Sequence, residues 1–184
     1  MKMIERFKNA TANLHNEIEG ENPARFIMDH SIDMETYKLL LLQNYMAYKK
    51  TESEISKFIA GYPGNKYLKL ESDLDNLEVT LQDTPHGFSC NNIAEAFGAA
   101  YVVEGSALGG MVISRNILKC DALSGLKEQV FFSGDRENLK SWEGFKKQLS
   151  EHNFSEEEAT AATEKAMETF RFFGKVFRSE SPSC

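Results

Sequence analysis

Histidines are the side chains best suited to hold a metal or move a proton near neutral pH, and the chain has four: His15, His30, His86 and His152. His30 and His86 fall in turn-forming stretches and His152 near a helix end, where a solvated imidazole is the plain reading. His15 differs. It borders an apolar stripe of Ile4, Phe7, Thr11, Leu14 and Ile18, and Glu19 follows it at i+4, on the same helical face. A carboxylate there can accept the imidazole Nδ1–H and leave Nε2 as an electron-pair donor to a metal; the same pair also reads as a surface hydrogen bond. A di-iron carboxylate bundle would need Glu-x-x-His on two helices. The residues three before the histidines are Ala12, Ile27, Asp83 and Leu149, so that chemistry finds no support. Zinc finds none either, because no two Cys or His residues stand at ligand spacing.

A second anomaly lies in Phe97–Ile113, which has helical periodicity yet contains Gly98, Gly105, Gly109 and Gly110. Each glycine costs roughly 1 kcal/mol against alanine inside a helix, about 4 kcal/mol in all. At ~100° per residue Gly98, Gly105 and Gly109 share a strip about 40° wide, bare of side chains. Two readings stand: close packing against another helix, or a flat ligand lying on backbone with Ser106 as the small hydroxyl beside it. Clustered glycines at 105, 109 and 110 also let the helix bend. If His15 binds a metal, it does so alone, as an axial ligand to a metal whose other positions a macrocycle fills, and haem meets that requirement.

The elements that must position these residues are helical almost throughout, since apolar residues recur at three and four rather than two. The spacing predicts helices over about 2–19, 33–60 (Asp33 as N-cap), 65–82 and 92–120 (Asn92 with Glu95 as a capping box). It predicts a further one carrying Leu139, Trp142, Phe145 and Leu149, and a last one from Ser155 with Glu158. One all-α domain over 1–178 follows, with a frayed tail at 179–184. Its 184 residues suffice for a core that hides roughly 70% of the unfolded surface, so no staple is needed merely to fold. A net charge of −7, with no long basic block, argues against general nucleic-acid binding. No uninterrupted apolar run approaches the ~20 residues of a membrane span. The N-terminus carries an acid and lacks a signal core, and Cys90, Cys120 and Cys184 form no CxxC pair; both point to a reducing cytoplasm.

One histidine on the first helix and a glycine-rich helix about ninety residues later resemble the haem oxygenase family, above all its compact bacterial members. Thr11-x-x-x-His15-x-x-x-Glu19 is similar to the family's proximal helix, and Tyr101-Val102-Val103-Glu104-Gly105-Ser106-Ala107-Leu108-Gly109-Gly110 to its kinked distal helix. Phe131-Phe132, Trp142-x-x-Phe145-x-x-x-Leu149 and Thr169-Phe170 follow in the family's order, so the likeness spans about residues 4–177. Animal members have an aspartate where this chain has Ser106, and bacterial members often have serine there too.

The resemblance implies a multi-helix bundle with haem, both cofactor and substrate, between the first helix and the glycine helix. His15 would ligate iron with Glu19 orienting it. Gly105, Ser106, Gly109 and Gly110 would form the distal side, and Lys8 and Lys146 would meet the propionates. The implied reaction opens the ring at a meso carbon with O2, giving biliverdin, carbon monoxide and ferrous iron. Electrons would come from a ferredoxin, flavodoxin or reductase, since the chain has no flavin or iron–sulfur motif. The alternatives are a haem carrier or sensor without turnover, a cysteine hydrolase using Cys90 or Cys120, and a plain interaction bundle.

Overall fold

The computed structural model of the protein describes residues 1–179; the rest of the expected tail, 180–184, lies outside the described residues. The helices are α1 (Met3–Glu21), α2 (Arg25–Met28), α3 (Met34–Ile55), α4 (Lys66–Asn76), α5 (Ile93–Ala107), α6 (Gly110–Ile117), α7 (Glu137–Glu151) and α8 (Glu156–Arg178). A single 3-10 turn covers Asp121–Leu123, and there is no strand among the described residues, as the apolar periodicity predicts.

Three of the helix starts lie where cap chemistry puts them. Asp33 accepts from Thr36 N, and Ser155 with Glu158 forms a complete capping box. At α5 the box is altered: Asn92 accepts from Glu95 N, but the Glu95 carboxylate takes the N–H of Asn91 rather than of Asn92. Ends are less regular. α3 stops at Ile55 and continues as turns rather than reaching residue 60. α4 stops at Asn76, six residues early, in a Schellman motif in which Val79 N bonds Leu74 O and Glu78 N bonds Asp75 O. The left-handed position is filled by Glu78, at φ 57°, so no glycine marks the stop.

The long glycine helix is two helices. At its break Leu108 N bonds Gly105 O and Gly109 N bonds Ser106 O, tightening the ladder to i−3 before α6 resumes. α5 is the central rod, packed chiefly on α8 and also on α3 and α7, while α1 lies along α8. Gly98 explains how closely α5 and α8 meet: a Cβ there would stand 2.0 Å from Ala162 O. Ile93–Ile117 is long and apolar enough by length and composition to cross a bilayer, which a count of uninterrupted runs misses because Glu104 and the glycines break it up. Over half of it is buried, and its α5 half is this central rod.

Candidate functional site

Beyond Ala162 and Ala166 the α8 face changes from alanine to Phe170, Phe173 and Phe177, and α5 breaks away into α6. The helices therefore diverge just past their tightest contact, leaving a cavity of about 680 Å3, within the ~300–1,000 Å3 usual for ligand pockets. His15, Ile18 and Glu19 of α1 line it, with Ser106, Ala107, Gly109, Gly110, Val112 and Ile113 of the broken helix. Leu40, Asn44 and Tyr48 of α3, the three phenylalanines of α8, and Phe131 and Phe132 complete the apolar wall.

Each wall has an identifiable support. Asp73 of α4, fully buried, accepts from the backbone N–H groups of Val130 and Phe131 and so fixes the Phe131-Phe132 corner. Burial holds its carboxyl above the usual range. The Tyr48 ring meets Phe131 and Phe173 edge-on, at centroid separations of 5.4 and 5.5 Å. Burial, and then the charges of Glu52 and Glu104, push the Tyr48 hydroxyl well above the ordinary tyrosine pKa, while the Ser106 hydroxyl beside it acts in the opposite direction. The pair sets two hydroxyls at the glycine side of the cavity.

His15 is half exposed, its ring 5.8 Å edge-on from Phe170. Glu19 lies on the same face as the spacing requires, but Nε2 rather than Nδ1 faces it, at 3.6 Å, beyond a hydrogen bond.

The glycines divide among three tasks. Gly109 and Gly110 line the cavity; a Cβ at Gly109 would meet only Ser106 O, at 3.5 Å, and one at Gly110 nothing closer than Phe132 Cδ1 at 3.8 Å. Gly105, expected on the same bare strip, is not in the lining: its open side faces Trp142, at 3.8 Å. Gly98 packs on α8. Thus Gly98 realises the close-packing reading of the bare strip, while Gly109 and Gly110 leave bare backbone on the cavity.

The expected propionate lysines stand elsewhere. Lys8 is exposed and outside the lining, and Lys146 pairs with Glu143 at 2.8 Å and lies 5.9 Å over the Trp142 ring. Of the lining residues, Arg25 is the one with a permanent positive charge; its guanidinium donates to Gly20 O and covers Phe26. Tyr48, Asp73 and Arg25 were not signalled by the sequence, because each acts through a partner remote in the chain or a turn too short to show periodicity. No group of three or more metal-ligating side chains occurs among the described residues, so a metal here would rest on His15 with its remaining bonds supplied by a ligand.

An imidazole, bare glycine backbone and a flat aromatic wall around one volume suit a planar macrocycle. The comparisons agree. The family model described as Heme oxygenase matches residues 1–179. Among solved structures the chain is similar to the heme oxygenase of Neisseria meningitidis, solved with NO and CO bound, at 22% identity and a TM-score of 0.70, covering 97% of this chain and 91% of that one. It is also similar to heme oxygenase-1 of the cyanobacterium Synechocystis sp. PCC6803 in complex with heme, at 14% identity and a TM-score of 0.69, covering 96% and 91%. No curated protein sequence matches it. With a family match over nearly its whole length and the fold to accompany it, this chain belongs to the heme oxygenase family.

Proposed function

We propose that the chain binds haem in the 680 Å3 cavity and degrades it to biliverdin, carbon monoxide and ferrous iron. The observation that carries this reading is the shared cavity itself: the His15 imidazole and the side-chain-free backbone of Gly109 and Gly110 line one volume. Bound haem supplies the iron at which O2 is reduced and the macrocycle that is then attacked.

The protein's own residues do four things. His15 would hold the haem iron through its imidazole, and Glu19 would steady the ring by accepting its other N–H. Gly109 and Gly110 would keep side chains out of that part of the cavity and leave room there for oxygen. Tyr48 and Ser106 would present hydroxyls to the cavity, able to donate or relay the protons the reaction consumes. Phe131, Phe132, Phe170 and Phe173 exclude bulk water, which strengthens every polar interaction left inside.

Arg25 is the wall's guanidinium for a propionate, and Lys8 and Lys146 would reach one only from outside the lining. Gly105 acts through Trp142, setting how near α7 approaches the broken helix. Electrons come from an external donor of the ferredoxin, flavodoxin or reductase class. A reducing cytoplasm suits the buried free thiols Cys90 and Cys120. The test is to load the protein with haemin, add reductant and air, and follow the Soret band. Its loss with formation of a bilin is expected; a stable Soret band over many reduction cycles would mean a carrier or sensor.

A further inference from the structure

Among the described residues the buried acidic side chains are Glu52, Glu54, Asp73 and Glu104, and three of them have a lysine for company. Glu54 pairs with Lys50 and Lys57, Glu104 pairs with Lys66 at 2.7 Å, and Glu52 accepts from the Lys66 N–H within reach of the same ammonium charge. Asp73 differs. It is fully buried, and its partners among the described residues are the N–H groups of Val130, at 2.8 Å, and Phe131, at 2.9 Å. An acid kept in the interior without a cation is costly, so holding α4 to the core is a poor reason for its presence. The stretch it grips offers a better one. Residues 127–135 make no well-formed backbone-to-backbone hydrogen bond, so they do not set their own shape. Side chains from other helices do it: Asp73 of α4 takes Val130 and Phe131, and the Tyr37 hydroxyl of α3 donates to Gln129 Oε1 at 2.7 Å.

From these anchors the loop crosses to the broken helix. Phe132 Cδ1 would stand 3.8 Å from a Cβ on Gly110, and Gly134, at φ 76°, lies so close to α6 that its Cβ would stand 2.8 Å from Ser114 Oγ. Of the aromatic side chains in the cavity wall, Phe131 and Phe132 are the two carried by non-helical chain; the others sit on α1, α3 and α8. We propose that Asp73 is the positioning residue that sets how haem is seated in this cavity, and with it which meso carbon is opened, an inference that rests on the haem-binding reading. A macrocycle held by one axial bond can turn about that bond and can enter with either face first. Its orientation is decided where its edge meets a fixed wall, and the place of the Phe131–Phe132 corner depends on one carboxylate. That group suits the task because each oxygen accepts one of two adjacent N–H groups, whereas an amide would turn its NH2 against the second. The same grip settles where the loop buttresses α6, so the corner and the broken helix move together.

Haemin-loaded Asp73→Asn, Phe132→Leu and Tyr37→Phe test this beside wild type. The seat is read without turnover from the hyperfine-shifted haem methyl resonances of the ferric cyanide complex, and with turnover from the isomer composition of the bilin. Asp73→Asn and Phe132→Leu should change the ratio of seatings in the same sense by at least about threefold, a size that loss of one buried hydrogen bond reaches. The bilin isomers should move with it. Tyr37→Phe frees the same loop without touching a buried charge and should shift the ratio in that sense by less. A wild-type methyl pattern and isomer composition in Asp73→Asn, whatever its melting temperature, would overturn the proposal and leave Asp73 a residue of stability alone. If Asp73→Asn does not fold, Tyr37→Phe decides by the same readouts: a shifted pattern supports the proposal and a wild-type pattern overturns it. A wild type that takes up no haemin overturns the haem reading and this inference together. A wild type that binds haemin but forms no bilin overturns degradation alone, because the methyl resonances still report the seat.

Discussion

At the scale of single residues the account turns on which side chains are present and which are missing around one cavity. Gly109 has α-helical dihedrals, φ −63° and ψ −19°, so alanine fits its backbone, and a Cβ meets nothing closer than 3.5 Å. Gly109→Ala should therefore leave the apoprotein as stable or add ~0.4–1 kcal/mol, by lowering unfolded-state entropy. Gly109→Leu should keep that stability but project into the cavity and weaken haemin binding, a split that calorimetric melting and haemin titration together would show. Tyr48→Phe keeps the ring against Phe131 and Phe173 and removes only the hydroxyl beside Ser106. Haemin affinity should stay at the wild-type value while bilin formation slows; equal rates in Tyr48→Phe and wild type would remove that hydroxyl from proton supply.

At the scale of elements, one glycine and a run of alanines set where two helices touch and where they part. Gly98→Ala gains roughly 1 kcal/mol in helix propensity, but its Cβ would stand 2.0 Å from Ala162 O, so the clash decides the sign. A net loss of about 1–3 kcal/mol is expected, read as a Tm several degrees lower. An unchanged or raised Tm would show that α5 and α8 are not in the contact described. This also marks how far the sequence is legible. Asp33, Asn92 and Ser155 announce helix starts because a cap is local chemistry, completed within three residues. The stop of α4 is hidden because Glu78, not glycine, takes the left-handed position. The split among Gly98, Gly105 and Gly109 is hidden because their partners are Ala162, Trp142 and open space, settled only when α7 and α8 dock.

At the scale of the whole molecule, buried charge links stability to pH. Glu52 is raised from 4.5 to about 7, first by burial, against the opposing N–H groups of Tyr67 and Lys66 and the Lys66 charge. The folded chain thus holds a proton the unfolded chain has already lost. The stability this contributes is present below the unfolded pKa, falls as pH rises toward about 7 and is level beyond. Glu52→Gln should flatten that segment of the Tm–pH curve relative to wild type; parallel curves would place the titration elsewhere. The sequence could not show this cluster, since Glu52, Lys66 and Glu104 lie on three helices and none is unusual alone. By contrast His15 and the 105–110 glycines were legible, as their types and spacing are rare within single helices, though the helical face that Gly105 and Lys146 take was not. The central claim, haem on His15 as substrate, is tested most directly by the absorption spectrum of haemin-loaded wild type beside His15→Ala, followed through addition of reductant and air. The account predicts an imidazole-ligated spectrum that gives way to a bilin in wild type, and loss of both in the variant until free imidazole is added. An unchanged spectrum and undiminished bilin formation in His15→Ala would contradict it.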